Sequence, residues 1–263
     1  MRKKLVVGNW KMNMTRAEAN ACVEAIVNNV EGSAEVGICP PYLAINGVAK
    51  LLQHSDIMVG AQNVFWKESG AFTGLLSPNM IADAGCQLCI VGHSETRGRF
   101  GKVEVDASTL GYFAETDHTV NLKIKALIYQ SIIPILCVGE TLAEREAGQT
   151  DDVIARQLKG ALDGVEGVEF MTGVVAYEPV WAIGTGKTCD TPEAERVCGF
   201  IRAELAEIFS WDVANAIRIQ YGGSVKASNA RELFTQPNID GGLVGGASLN
   251  PQEFLQIVRA ASH

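Results

Sequence analysis

Eight short runs rich in Val, Ile and Leu recur along the chain, each followed by a polar or Gly-rich patch and then by apolar residues at helical spacing. They fall at Lys4–Val7, Val36–Cys39, Ile57–Ala61, Leu88–Gly92, Ile133–Val138, Gly173–Ala176, Ile217–Tyr221 and Gly242–Val244. Near-continuous apolar strands separated by amphipathic helices predict parallel strands, joined by crossover helices and buried on both faces. Eight such units favour a closed (β/α)8 barrel over an open sheet. The helix starts carry their own signals. Thr15 with Glu18 and Thr141 with Glu144 have capping-box spacing, while Ser77, Thr191 and Asn250 each precede a proline suited to a first helical turn.

A chain of 263 residues with no linker-like or low-complexity stretch reads as one barrel domain over 1–263. Residues 97–112, RGRFGKVEVDASTLGY, break the rhythm after the fourth strand. They predict a loop insertion, as a short hairpin or surface excursion, before helical spacing resumes near Glu115.

The formal net charge of −8 and the lack of a Lys/Arg stripe with interleaved aromatics argue against a nucleic-acid surface. An anionic ligand would have to be drawn in by local donors against the global charge. The N-terminal MRKKLVVGNWKMN has too short an apolar run for a signal peptide or membrane anchor, so the expectation is a protein without membrane association. Seven cysteines, an odd number scattered through apolar stretches, suit reduced thiols in the cytoplasm. Cys86 and Cys89 have C-x-x-C spacing but no second ligand pair, and read as packing residues.

In a barrel of this kind the working face is the C-terminal end of the strands. The polar residues that follow the apolar runs are Asn9 and Lys11, His93-Ser94-Glu95, Glu178, Gly222-Gly223-Ser224 and Gly245-Gly246. Lys11 there is a charge suited to stabilising an anionic ligand or intermediate. His93 stands where a helix would begin, and the positive end of a helix disfavours imidazolium; a neutral ring can donate a hydrogen bond to an oxygen. Glu178 lies between Tyr177 and Pro179, ahead of Val180 and Trp181, and such apolar surroundings raise a carboxylate's pKa and suit it to act as a base. The paired glycines after the last two strands fall where barrels build phosphate sites from backbone N–H groups.

The stretch AIGTGKT, 182–188, looks like a nucleotide-binding P-loop, but the motif's first glycine would have to stand at Trp181. The helix signal is also delayed to Thr191-Pro192, so nucleotide binding through this loop is rejected.

The stretches VVGNWKMN, GAQNVF, SGAFTG, VGHSE, PILCVGET, AYEPVWAIGTGKT, IQYGGSV and GGLVGGASL occur in this order from the first strand to the last helix. In them the chain closely resembles the triosephosphate isomerases. The resemblance implies interconversion of dihydroxyacetone phosphate and D-glyceraldehyde 3-phosphate, in glycolysis and gluconeogenesis, with no metal or organic cofactor. It implies Glu178 as base and His93 as neutral electrophile, a pairing that is the family's established pattern rather than something deduced from this chain. It further implies that Lys11 stabilises the enediolate, Asn9 orients the substrate and Glu95 supports them. Phosphate would be held by Gly184, Ser224, Gly245 and Gly246, with Pro179 to Lys187 as a lid. A homodimer is implied through the loop around Thr73. The segment 97–112 departs from the family pattern, with Thr96-Arg97 after His-Ser-Glu. Two other readings remain open: an aldolase forming a Schiff base through Lys11, and a barrel that binds without catalysing.

Overall fold

The computed structural model describes residues 2–102 and 105–262. Its strands are β1 (Leu5–Asn9), β2 (Glu35–Cys39), β3 (Met58–Ala61), β4 (Leu88–Val91), β5 (Ile133–Val138), β6 (Val174–Tyr177), β7 (Arg218–Tyr221) and β8 (Gly241–Val244). All pair in parallel with their sequence neighbours, and β1 pairs with β8 to close the barrel. The expected (β/α)8 architecture is what forms. Strand ends differ from the sequence reading by one or two residues. β1 runs on to Asn9, because Asn9 continues the register opposite Cys39.

Between the strands lie α1 (Arg16–Val27), α2 (Tyr42–Leu52), α3 (Pro78–Asp83), α4 (Asp117–Tyr129), α5 (Leu142–Glu146), α6 (Thr150–Ala161) and α7 (Gly167–Phe170). The series ends with α8 (Thr191–Ile208), α9 (Trp211–Ala216), α10 (Ala230–Phe234) and α11 (Pro251–Ala260). Both expected capping boxes form, at Thr15–Glu18 and Thr141–Glu144. At α8 the cap is Asp190, one residue before Thr191: its carboxylate accepts from Glu193 N at 2.9 Å, which moves Thr191 into the first turn.

Two apolar layers hold the fold. Leu5, Val7, Leu88, Ile90, Ile135 and Val174 pack inside the barrel, and a larger layer lies between strands and helices. Every described residue of β4, β6 and β8 is buried, as strands covered on both faces require.

The β8–β1 seam depends on Gly241, whose φ of 134° belongs to glycine. A Cβ there would lie 1.9 Å from the Leu5 carbonyl oxygen. Gly241→Ala is therefore expected to lower unfolding free energy by about 3 kcal/mol or more, from backbone strain plus overpacking. Denaturant titration measures it, and a loss below about 1 kcal/mol would contradict this account of the seam.

The connection from β4 to α4 begins with one helical turn, in which Arg97 N donates to His93 O at 3.1 Å. A 3-10 helix covers Ala107–Tyr112, and helical structure resumes at Asp117, near the expected Glu115. No strand forms among the described residues of 97–112, so the hairpin alternative is not realised there; residues 103 and 104 lie outside the described residues.

Candidate active site

A cavity of about 600 Å³ opens at the C-terminal ends of the strands. It is lined by Asn9, Lys11, His93, Ser94, Glu95, Glu178, Gly184, Ser224, Gly245 and Gly246 among others, so the candidate catalytic and phosphate-binding residues singled out from sequence meet in one place. A larger hollow of about 770 Å³ lies at the opposite end of the strands. There Arg2, Lys3, Glu35 and Arg218 are taken up in ion pairs at 2.5 to 3.5 Å.

Asn9 ends β1, and its Oδ1 accepts from Lys11 N at 3.1 Å. That bond, with Gln62 Nε2 donating to Lys11 O at 2.9 Å, holds Lys11 at a φ of 51°, a left-handed conformation costing a non-glycine residue about 1–2 kcal/mol. The chain turns back there, and the Lys11 ammonium reaches Glu95 Oε1 at 2.5 Å. The lysine is thus tethered inside the mouth rather than solvated.

His93 follows β4 and is buried. The single turn after it is too short to carry the helix dipole expected from sequence. A specific bond takes that role: Glu95 N donates to His93 Nδ1 at 3.1 Å. An imidazole nitrogen that accepts carries no proton, which places the ring's hydrogen on Nε2, the nitrogen that faces Glu178. That nitrogen lies 2.8 Å from Glu178 Oε1.

Glu178 leaves β6 with its backbone N–H donating to Val138 O at 2.8 Å, and its side chain is 2% exposed. The end of β5 presses against it so closely that a Cβ on Gly139 would lie 1.7 Å from the Glu178 carbonyl oxygen. Oε2 accepts from Ser94 N at 2.9 Å. Oε1, although near the His93 ring, has no well-aligned donor. One carboxylate oxygen is anchored and the other keeps its basic lone pairs.

The apolar neighbours of Glu178 in sequence leave the net direction of its pKa shift open. Burial does push it up, but the His93 ring, the Ser94 N–H and the Lys11 charge outweigh burial and hold the carboxyl below the ordinary glutamate value. A value lower in the folded than in the unfolded state contributes stability above the unfolded value, and that stability disappears as pH falls through the folded one. Wild type is therefore expected to lose more unfolding free energy than Glu178→Gln between about pH 7 and about pH 3. Equal losses in denaturant titrations would count against the cluster described here.

After Glu178, residues Val180–Ala182 form a 3-10 turn that buries Trp181. Its indole donates to Glu140 Oε1 at 2.7 Å, and the Arg145 guanidinium sits 4.4 Å from the ring centroid. Glu140, fully buried, also accepts from Tyr177 OH at 3.2 Å. Burial raises its pKa more than these donors and Arg145 lower it. Ser224 Oγ donates to Ala182 O at 3.2 Å. Beyond these anchors, Gly184 and Gly186 adopt φ of 68° and 79° with open space on their α-carbons. Gly246 likewise faces open space, and beside Gly245 only Lys11 Cε comes within reach, at 3.6 Å, which leaves room for a ligand against backbone.

Ser94 and Glu140 carry much of this geometry, and sequence reasoning assigned neither a role. Ser94 acts through its backbone, which no residue type reveals. Glu140 was legible as a lone acid one glycine beyond an apolar strand. Cys137 and the other six cysteines are buried and unpaired, and burial pushes the Cys137 thiol well above its ordinary range. Among the described residues, no group of three or more His, Cys, Asp or Glu side chains could hold a metal ion, and no helix is long and apolar enough to cross a membrane.

Fold and site together define a (β/α)8 barrel whose mouth joins a buried carboxylate, a neutral imidazole and a lysine to a glycine-lined wall. The family model described as triosephosphate isomerase matches residues 4–261. Relatives named triosephosphate isomerase include one from Prosthecochloris aestuarii, 49% identical over 99% of both chains. Another, from Alkaliphilus oremlandii, is 47% identical over 98% of this chain and 99% of its own. A third, from Pelodictyon phaeoclathratiforme, is 48% identical over the full length of both. The chain belongs to the triosephosphate isomerase family of enzymes.

Proposed function

We propose that this chain interconverts dihydroxyacetone phosphate and D-glyceraldehyde 3-phosphate, the step that joins the two trioses in glycolysis and gluconeogenesis. The observation that carries the reading is the buried Glu178 Oε1, which has no aligned donor and lies beside His93 Nε2 in the cavity that also contains Lys11.

Glu178 Oε1 takes a proton from the carbon next to the substrate carbonyl; the electron pair of that C–H bond becomes the carbon–carbon double bond of the enediolate, and the carbonyl π pair moves onto its oxygen. His93 Nε2–H donates to this oxygen as charge develops on it, and its neutral ring then moves a proton between the two enediol oxygens. Lys11 opposes the negative charge of the enediolate from within its tether to Glu95. Protonated Glu178 returns its proton to the neighbouring carbon, so the reaction closes without oxidant, metal or cofactor.

Gly184, Ser224, Gly245 and Gly246 hold the phosphate through backbone and hydroxyl donors that need little reorganisation when the dianion arrives. Asn9 orients the reacting end. Pro179 to Lys187 closes over the site and excludes water, which protects the enediolate from losing phosphate.

The chain acts as one barrel domain with 97–112 as an added loop, and as a homodimer joined through the loop around Thr73. Phe72 and Leu75, 41% and 50% exposed, give that loop apolar surface to bury. Seven unpaired buried thiols suit a cytoplasmic setting.

A coupled assay with either triose phosphate tests the reading, and purified protein is expected to turn over both. No turnover would refute it. Borohydride trapping of a carbonyl substrate on Lys11 would instead establish Schiff-base chemistry, and no covalent adduct is expected.

A further inference from the structure

The long connection after β4 also lines the cavity, through Arg99, Phe100, Gly101, Lys102 and Val105. Its root is fixed from several sides. Arg97 Nη1 pairs with Asp117 at 2.6 Å, and Arg99 N donates to Ser94 O at 2.9 Å. The Arg99 guanidinium bonds Gly139 O at 3.2 Å and the Glu144 carboxylate. Phe100 packs edge-on against Phe113 with ring centroids 5.3 Å apart.

From this base the chain runs against the segment that follows Glu178. A Cβ on Gly101 would lie 2.4 Å from the carbonyl oxygens of both Val180 and Ile183, and 3.1 Å from Thr185 Cγ2. Only glycine permits backbone to approach backbone so closely. Two features mark the lid as standing open in this arrangement. Gly184 and Gly186 at its tip face open space, and one oxygen of the Glu178 carboxylate is held back on Ser94 N at the cavity wall. Gly101 therefore touches the lid on its open side, while Glu140 holds Trp181 and Ser224 holds Ala182.

We propose that Gly101 is a positioning residue: the anchored segment 97–102 is a dock that stabilises the open lid, and so sets how much substrate binding energy closure consumes. The inference rests on the isomerase reading of the lid. A dock that exists only while Ile183 stands open lowers the closed fraction, and apparent affinity scales with that fraction. Removing the dock should then tighten phosphate ligands and slow reopening.

The test uses Gly101→Ala in the full-length protein, with glycerol 3-phosphate as an unreactive three-carbon probe. Expected is tighter probe binding by about five-fold or more, the low end of typical coupling between states. KM should fall with no rise in kcat, and the thermal midpoint should be close to wild type. Phe100→Ala, which frees the segment from Phe113, should move affinity in the same direction, and it decides the matter if the first variant folds poorly. Unchanged or weaker probe binding in a folded variant overturns the proposal. Wild-type turnover separates the two failures: an inactive wild type removes the isomerase reading, whereas an active wild type with unmoved variants removes only the dock.

Discussion

Glu178→Gln is expected to lose at least about 10³-fold in turnover while remaining folded, the scale of a positioned general base. The glutamine oxygen can still accept from Ser94 N, so the bond that anchors Oε2 at 2.9 Å is retained. What disappears is the basic oxygen beside His93 Nε2, which is 2.8 Å away in the wild type. Glu178→Asp separates chemistry from placement. It keeps a carboxylate but draws it back by one methylene, and a misplacement of about 1 Å costs on the order of 10²-fold. Both are read from kcat in the coupled assay, with thermal melts as control. Unchanged turnover in the glutamine variant would remove Glu178 from the mechanism. Asp retaining full activity would mean that the anchoring by Ser94 does not set the base's reach.

Lys11→Met is expected to lower kcat/KM by about 10²- to 10³-fold, the usual effect of deleting one preorganised charge opposite a developing anion. The loss should fall on kcat as well as KM, because the enediolate carries charge that the ground-state carbonyl lacks. Stability should change by no more than about 1 kcal/mol. The Glu95 partner is 39% exposed and is solvated once the lysine is gone, and buried Glu178 keeps its nearer partners His93 and Ser94 N. An effect confined to KM would make Lys11 a phosphate-attracting charge and nothing more.

The architecture was legible because barrel strands are buried on both faces, and their apolar runs stand out against polar loops. The runs around Ile133–Val138 and Leu88–Val91 needed no tertiary information. Most of the candidate site residues were legible for a related reason, since they follow such a run, whereas Gly184, seven residues beyond β6, came only from the resemblance. Their electrostatics were not. The sign of the Glu178 shift depends on Ser94, His93 and Lys11, which lie 84, 85 and 167 positions away in sequence, so local apolar neighbours alone could not set it. The helix expected after His93 failed similarly: Ser94-Glu95 has the right types for a start, but the chain is drawn off after one turn by Arg97 and Arg99. At α8 a single-residue shift, from Thr191 to Asp190, reflects two adjacent candidates of which the carboxylate reached Glu193 N.

The seam between β1 and β8 also dictates an order of events during synthesis. Leu5 and Val6 leave the ribosome 236 residues ahead of their pairing partners Gly241 and Gly242. At about 5–20 residues per second, the outer edge of β1 waits on the order of ten to fifty seconds for its neighbour. Through that interval the nascent chain presents an unpaired apolar edge, which is the kind of edge that recruits other chains. Nascent chains halted before Leu243 should therefore engage chaperones or aggregate, although most of the other strands are already complete.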